Sequence, residues 1–318
     1  MPLHLGPHPE PGNTPRPKFT LPTRRDFLTR AAGLLTAAPL VLSGCRGTPG
    51  AKGNPGGWYA WLSDIHLAAD PTALLREECM VANLRAVLAD ILNGDEAPQS
   101  VLINGDLALK NGQPGDYATL LDVASPLLRA RVPLHLTLGN HDDRETARAA
   151  FGLAVGAPVP TLDRCVSEID GPGIRFVLLD SMIAPNKTPG TLGTEQLQWL
   201  ATRLDSDPEQ PTIVFVHHNL NSTWESALLD TDALVNVLRP RTQVKMIVFG
   251  HTHVWNVRQV DGIHMVNLPA VGYRFQPKQP LGWCQFRPLA DGCDLQLRTI
   301  GGDQRKDGWT TRLTWRAS

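Results

Sequence analysis

Five short clusters of aspartate, asparagine and histidine lie in the middle of the chain and hold six of its ten histidines. Carboxylate, amide oxygen and imidazole groups bind divalent metals such as Zn, Mn, Fe and Co. A shared carboxylate bridges two ions about 3.5–4 Å apart in hydrolases that use a metal pair on phosphate esters. The set therefore predicts a two-metal hydrolytic site. The clusters are Ser63-Asp64-Ile65-His66, Asn104-Gly105-Asp106, Gly139-Asn140-His141-Asp142, His217-His218-Asn219 and Gly250-His251-Thr252-His253.

Each cluster directly follows an apolar run with the length of a buried strand. In α/β sheets, ligands bind beyond the carboxyl ends of the strands, so five such ends would bring distant residues into one site. A single Asp-x-His or Gly-Asp pair arises readily by chance, and the prediction therefore depends on all five together. The runs are Trp58–Leu62, Ser100–Ile103, Pro133–Leu138, Pro211–Val216 and Val244–Phe249.

Helical patterns separate these strands as far as residue 254, and only strand-like segments follow it. The predicted helices are Thr72–Leu92, Tyr117–Leu128, Asp142–Phe151, Thr194–Leu204 and Asp230–Leu238. Further strands are predicted at Arg164–Asp170, Ile174–Leu179, Trp255–Val260, His264–Leu268, Gly282–Pro288, Asp294–Ile300 and Thr310–Trp315. Alternation followed by antiparallel strands favours one α/β sandwich domain with a mixed sheet.

The order of the five clusters resembles the calcineurin-like metallophosphoesterases over residues 58–253. The resemblance implies an α/β/β/α sandwich of two mixed β-sheets flanked by helices, with a dinuclear centre of Mn, Fe or Zn ions, divalent or trivalent. By position, Asp64, His66, Asp106 and His253 would bind one ion. Asp106, Asn140, His217 and His251 would bind the other.

The same resemblance implies roles for the remaining cluster residues. His141 would face the phosphate, where it would protonate the leaving oxygen or stabilise charge. Asp142 would orient His141, and a metal-bound hydroxide would attack phosphorus. The family usually has proline after the paired histidines, where this chain has Asn219. We take His217 over His218 as the ligand because it is the first residue after the strand.

The resemblance also implies a small phosphoester as the substrate, and the sequence leaves the class of ester open. Leu179-Asp180-Ser181, Gly193 and the segment 196–200 resemble the cyclic-nucleotide phosphodiesterase branch, although the last also fits any amphipathic helix. Monoesters, diesters and 3',5'-cyclic nucleotides all remain open. A non-catalytic exported binding lipoprotein on the same fold is the alternative to an enzyme. His218, Asn219 and Arg274 are candidate substrate-binding residues.

Overall charge argues against one class of partner. The chain has 30 basic and 31 acidic residues, for a net charge of −1. Nucleic-acid-binding domains usually carry a strongly basic surface. We therefore expect no nucleic-acid partner, and the oligomeric state stays open.

Residues 1–45 have the composition of an export signal. A proline-rich lead precedes Arg24-Arg25, which resembles a twin-arginine signal, and the apolar run Ala31–Leu42 follows. The run ends in Leu42-Ser43-Gly44-Cys45, similar to the lipobox of bacterial lipoproteins, with Cys45 as the lipidated residue. A core helix after a chance arginine pair is the alternative. We expect export to the periplasm or cell envelope, with membrane contact only through that lipid.

Residues 46–57 are rich in glycine and proline and would form a tether, leaving residues 58–318 as the catalytic domain. Four further cysteines show no CxxC pair. Export would permit a disulfide between Cys284 and Cys293, and free buried thiols fit equally well.

Overall fold

The structure, a computed structural model, describes residues 56–158, 163–221 and 225–317. The predicted signal, Cys45 and most of the tether lie outside the described residues. The strands are β1 Tyr59–Leu62, β2 Leu74–Leu75, β3 Glu78–Cys79, β4 Ser100–Asn104, β5 Leu134–Thr137, β6 Ala157–Pro158, β7 Cys165–Gly171, β8 Ile174–Leu178, β9 Thr212–Phe215, β10 Val244–Phe249, β11 Asn256–Val260, β12 Ile263–Asn267, β13 Pro280–Leu289, β14 Gly292–Gly302 and β15 Thr310–Thr314. The helices are α1 Met80–Leu92, α2 Pro114–Arg129, α3 Arg144–Phe151, α4 Gly193–Asp205 and α5 Thr231–Leu238, with a 3₁₀ turn at Gly152–Val155.

Two mixed sheets form the centre of the fold. One has the order β15-β14-β13-β1-β4-β5 and the other β11-β12-β10-β9-β8-β7-β6. In the first sheet β1, β4 and β5 are parallel, whereas β13 pairs antiparallel with β1. In the second, β8, β9, β10 and β12 are parallel. The five strands that precede the clusters therefore run in two parallel sets.

Three apolar layers stabilise this arrangement. Trp61, Phe176, Phe215 and Phe286 pack between the sheets, and the rings of Trp61 and Phe286 stack at 4.2 Å. Helices α1 and α2 cover the outer face of the first sheet, and α4 and α5 cover that of the second. Successive side chains of a strand point to opposite faces of its sheet, so each strand contributes to both of the apolar layers beside it. The predicted α/β/β/α sandwich is confirmed.

The predicted helix Thr72–Leu92 begins later than expected, at Met80. Leu74–Leu75 and Glu78–Cys79 pair instead as a two-residue hairpin. Its turn residues, Arg76 and Glu77, have φ of 52° and 68°. Positive φ at both central positions is the conformation of a tight type I′ hairpin turn, which a helix cannot contain. Nearly helical spacing of the leucines concealed this turn, although Leu74 is 68% exposed.

The cysteines of the described chain are free thiols. In the β13–β14 pairing Cys293 lies opposite Pro288, and Cys284 lies opposite Leu297. The two thiols are therefore not cross-strand neighbours, and the disulfide left open by the sequence is absent. None of the described helices has the length and apolarity needed to cross a membrane.

Candidate metal centre

The carboxyl ends of the two parallel sets meet at one place and are hydrogen-bonded together. The main-chain N–H of Asp64 donates to Gly105 O at 3.2 Å, and that of Gly250 donates to His217 O at 2.9 Å. Asn104 Nδ2 reaches from the first sheet to Val216 O of the second at 3.2 Å. All five clusters are thus brought together, as the sequence predicted from their positions after strands.

The backbone of the clusters is strained in a consistent way. Ten non-glycine residues of the described chain have positive φ, and five are candidate ligands: Asp64, His66, Asp106, His251 and His253. This left-handed conformation costs on the order of 1–3 kcal/mol per non-glycine residue and concentrates at functional sites. Of these five residues, Asp64, His66 and His253 belong to one ligand group, and Asp106 and His251 belong to another.

Asp64, His66 and His253 form the first ligand group, with one ligand atom from each within 4.8 Å of the others. The Nε2 atoms of His66 and His253 lie 3.1 Å apart, and His253 Nε2 is 3.4 Å from Asp64 Oδ1. All three residues are buried. Imidazole nitrogens this close around a carboxylate have the donor set that divalent metals take.

Asp106, His217 and His251 form the second group, again within 4.8 Å. Asp106 Oδ2 is 3.3 Å from His217 Nε2 and 3.6 Å from His66 Nε2, which belongs to the first group. One carboxylate oxygen therefore lies between the two groups, where a bridging ligand would be needed. The buried Oδ1 of Asn140 has no hydrogen-bond partner in the structure.

Two of the histidines are fixed by main-chain carbonyls on their other nitrogen. His217 Nδ1 lies 2.9 Å from Asn104 O, and His253 Nδ1 lies 2.7 Å from Tyr273 O. A carbonyl only accepts, so Nδ1 is the donor and Nε2 faces the centre. Metal-binding histidines commonly have this support, which fixes tautomer and ring orientation.

The charge state of the site suits metal ions. Burial opposes ionisation of the Asp106 carboxyl, but the His217 and His66 rings hold its pKa well below its usual range. Burial lowers the pKa of His66 to about 3 and that of His251 to about 4, which leaves neutral imidazoles. Against the effect of burial, Asp106 raises the pKa of His217 to about 10. A cation is therefore favoured between these carboxylates, and the residues fit two metal ions.

A cleft of about 500 Å³ opens over both groups. Besides the ligands and His141 it is lined by the hydroxyl residues Thr188, Ser226 and Thr252, and by Tyr273 and Phe275. Within the described ranges, no lysine or arginine lines it. The cleft therefore offers candidate metal ligands, hydroxyls and aromatic rings to a bound molecule.

His141 makes one hydrogen bond to the centre and one to a main-chain carbonyl outside it. Its main-chain N–H donates to Asp106 Oδ1 at 2.9 Å, and its Nδ1 lies 2.9 Å from Lys110 O. Its ring also lies within ligand distance of His66 and Asp106. The ring of His141 lines the cleft and is half-buried, whereas His217 is fully buried and does not line it. This position fits a group that faces a bound phosphate.

Asp142 lies elsewhere than the sequence suggested. Its carboxylate accepts hydrogen bonds from the main-chain N–H groups of Leu107, Ala108 and Gly139 and from the Tyr117 hydroxyl, at 2.9–3.2 Å. The ring of His141 is oriented by the Lys110 carbonyl instead. Asp142 therefore connects the loop after Asp106 to the loop before Asn140 and does not orient His141.

The three candidate substrate-binding residues lie away from the cleft lining. His218 is buried behind the centre, with its Nδ1 2.7 Å from Ser181 Oγ and its ring centroid 4.9 Å from that of His251. Asn219 is 4% exposed. Arg274 forms an ion pair with Glu78 at 2.9 Å. Burial keeps His218 and Asn219 out of the cleft lining, and the ion pair with Glu78 holds Arg274 away from it.

The sequence assigns no role to several residues that shape the site. Asn104 accepts from Thr137 Oγ1 and, through its main-chain oxygen, from Ser63 Oγ, in addition to its contacts with the second sheet. The sequence signal for Asn104 is its position as a polar residue at the end of an apolar strand. Arg76, which lies over the Phe275 ring, gave none, because an exposed cation in a loop has no characteristic spacing.

Comparison with known proteins agrees with this geometry. Residues 58–255 match the calcineurin-like phosphoesterase family. The chain is 29% identical over 241 residues to a probable cyclic nucleotide phosphodiesterase of Synechococcus, covering 73% of this chain and 88% of that protein. It is 31% identical over 240 residues to a cAMP/cGMP dual specificity phosphodiesterase of Mycobacterium tuberculosis, covering 74% and 73%.

A solved structure shows the same architecture. A dimetal phosphatase of Danio rerio superposes with a TM-score of 0.64 at 20% identity, covering 83% of this chain and 100% of that one. At 20% identity, this likeness supports the fold alone. The assignment to a family rests on the match over residues 58–255 and on the two ligand groups. The chain belongs to the calcineurin-like phosphoesterase family of metal-dependent phosphoric ester hydrolases.

Proposed function

We propose that the protein is a two-metal phosphodiesterase that hydrolyses 3',5'-cyclic nucleotides. The observation that carries the proposal is the position of Asp106 Oδ2, 3.6 Å from His66 Nε2 of one ligand group and 3.3 Å from His217 Nε2 of the other. A carboxylate between two sets of imidazole ligands is the arrangement that binds a metal pair.

Asp64, His66, Asp106 and His253 would bind one ion, and Asp106, Asn140, His217 and His251 the other. When bound, the ions activate a water molecule for attack on phosphorus and offset charge on the phosphoryl oxygens. Main-chain donors hold the carboxylates in place: His251 N donates to Asp64 at 3.1 Å, and His141 N to Asp106 at 2.9 Å. The chain thereby fixes the ligands before substrate arrives.

His141 is the group available to move a proton. Its Nδ1–H donates to Lys110 O, so Nε2 is the nitrogen free to meet the substrate. Since the carbonyl keeps a proton on Nδ1, the ring donates to the leaving oxygen from its doubly protonated form. The neutral ring would only accept at Nε2.

Two observations favour a diester over a monoester. A diester carries a single negative charge on phosphorus, whereas a monoester carries nearly two at neutral pH. The cleft lining contains no lysine or arginine in the described part of the chain, so the metals alone would balance that charge. Both curated relatives above carry names that specify cyclic nucleotides as substrates.

The direct test uses protein stripped with a chelator and reloaded with Mn²⁺. Hydrolysis of cAMP to AMP is followed by chromatography, with bis(p-nitrophenyl) phosphate and p-nitrophenyl phosphate assayed in parallel. We expect activity only after metal is restored, and diester turnover well above monoester turnover. Preference for the monoester would overturn the substrate class. Folded protein inactive on every ester with any divalent metal would favour a binding protein.

We also propose export followed by lipid attachment at Cys45. The proposal rests on three features that follow one another in residues 1–45: an arginine pair, an apolar run and a lipobox. Cyclic nucleotides are mainly cytoplasmic, so location decides which pool the enzyme meets. Fractionation and palmitate labelling test this, with Arg24→Lys/Arg25→Lys expected to retain the protein in the cytoplasm and Cys45→Ala to abolish labelling. Cytoplasmic wild-type protein would exclude export.

A further inference from the structure

The edge of the cleft beside the first ligand group carries an exposed aromatic side chain. Phe275 is 45% exposed and lines the cleft. Its ring stacks on the ring of His253, with centroids 4.3 Å apart and an interplanar angle of 29°. The same ring lies edge-on to Tyr273 at 5.5 Å. Phe275 therefore extends the apolar wall of the cleft outward from a metal ligand.

Arg76 lies over this ring, with its guanidinium carbon 5.1 Å from the centroid. It stands at the tight turn of the β2–β3 hairpin with φ of 52° and is itself exposed. Since the hairpin has only two residues in each strand, its position depends on contacts with the rest of the protein.

Two contacts attach the hairpin to the Phe275 loop. Glu78 Oε1 binds Arg274 Nη2 at 2.9 Å. Asn83 Nδ2 binds both Glu78 Oε2 at 3.3 Å and Gly272 O at 3.0 Å. Arg76 and Phe275 are thereby held together at the cleft edge, although they are distant in sequence.

We propose that Arg76 and Phe275 form a platform that binds the nucleobase of the substrate and selects nucleotide diesters over diesters without a ring. The inference rests on the proposed function, because a phosphate bound at the two ligand groups would lie beside His253. The group attached to that phosphate would then extend along the wall that Phe275 and Arg76 continue. His253 stacks on the Phe275 ring and Arg76 lies over it, so the Arg76 guanidinium plane, supported by Phe275, is the surface offered to a base. Bases stack on guanidinium planes in a way that tolerates either purine.

A purely structural role for Phe275 makes different predictions. If the ring served only to hold His253, its loss would weaken metal binding and lower turnover of every substrate equally. If Arg76 acted only as a positive charge, lysine would replace it, because lysine keeps the charge and loses the planar group. The platform instead predicts loss limited to substrates that carry a base.

The experiment compares cAMP with glycerophosphoethanolamine, an aliphatic phosphodiester, in Mn²⁺-loaded wild type, Phe275→Ala, Phe275→Tyr, Arg76→Ala and Arg76→Lys. Trp309→Ala is the matched control, because Trp309 is an aromatic residue 61% exposed outside the cleft lining. Loss of the ring that supports the Arg76 guanidinium predicts that Phe275→Ala raises KM for cAMP by about tenfold to a hundredfold, the range of base stacking. The rise in its KM for the aliphatic diester should be clearly smaller than that for cAMP when both are measured at saturating Mn²⁺.

Phe275→Tyr should behave as wild type, and Arg76→Lys should show most of the loss of Arg76→Ala. Equal losses on both diesters, or a loss of Mn²⁺ affinity that accounts for the change, would overturn the platform. Full activity of Arg76→Lys together with impaired activity of Arg76→Ala would also overturn the platform.

Calorimetry separates this inference from the proposed function, because it needs no turnover. We expect Mn²⁺-loaded protein to bind AMP about tenfold more tightly than ribose 5-phosphate, and Phe275→Ala to lose that advantage. Equal binding of the two ligands by wild type would overturn the platform even in an active diesterase. Preferential AMP binding without any hydrolysis would retain the platform and refute the hydrolase.

Discussion

The main-chain N–H of His141 donates to Asp106 Oδ1 at 2.9 Å, on the carboxylate whose other oxygen lies between the two ligand groups. The backbone of His141 thus positions the bridging ligand while its ring faces the cleft. These two contributions are separable, because a substitution of the side chain leaves the main-chain N–H in place.

Replacing His141 with alanine should therefore impair turnover without emptying the site. We expect wild-type metal content, measured by elemental analysis, and a loss of kcat of roughly 10²–10⁴-fold, the range of general acid catalysis. Loss of both ions together with activity would instead make the ring a metal ligand, as its proximity to His66 and Asp106 allows.

Asp106→Ala should empty the site as well as abolish turnover. Removal of the carboxylate takes a ligand from both groups and leaves the buried His217 ring without its nearest counter-charge. We expect loss of both metals and of turnover. Asp122→Ala is the control, because Asp122 is an exposed acid that pairs only with Arg85 among the described residues. Retention of one tightly bound ion by Asp106→Ala would show that the carboxylate does not bridge.

Much of the site is predictable from sequence because each cluster directly follows an apolar strand, and the ends of parallel strands meet by necessity. Asp64 and His251 are 187 residues apart, yet both follow such strands. The start of α1 was not predictable by the same reasoning. Leu74 and Leu75 fit a helical period, and only the conformation of Arg76 and Glu77 shows that a turn intervenes.

Roles were harder to predict than positions. Adjacent to His141 in sequence, Asp142 was expected to contact that ring, but consecutive residues in a tight loop point in different directions. Its carboxylate turns inward to three main-chain N–H groups. The pairing of Arg76 with Phe275 was unpredictable for another reason: the contact joins two loops without any local pattern.

Asp142→Ala should mainly reduce stability. Three buried main-chain donors and the Tyr117 hydroxyl would lose their acceptor, and an unsatisfied buried donor costs about 1–3 kcal/mol. We expect a free energy of unfolding lower by at least about 3 kcal/mol in urea titrations. Tyr117→Phe removes one donor to the same carboxylate and should cost about 1–2 kcal/mol. Equal stability of wild type and Asp142→Ala would contradict this role.

Arg274 and Glu78 should act as a pair that attaches the β2–β3 hairpin. Both are partly exposed, so the ion pair is worth at most about 1 kcal/mol. We expect Arg274→Ala and Glu78→Ala to have similar small effects on thermal stability, with the double variant no worse than either single one. A larger rise in KM for Arg274→Ala than for Glu78→Ala would restore Arg274 as a substrate-binding residue.

Gly139 leaves no room for a side chain beside the bridging carboxylate. A Cβ there would lie 2.2 Å from Asp106 Oδ1 and 2.7 Å from His217 Nε2, so one of the two ligands must move. Gly139→Ala should therefore lower metal affinity and turnover together, as measured by calorimetric Mn²⁺ titration and diester hydrolysis. Gly94→Ala is the matched control, because the nearest atoms to its Cβ would lie 3.9 Å away. If both variants bind Mn²⁺ as wild type does, the close approach of Gly139 to Asp106 is not required for the metal centre.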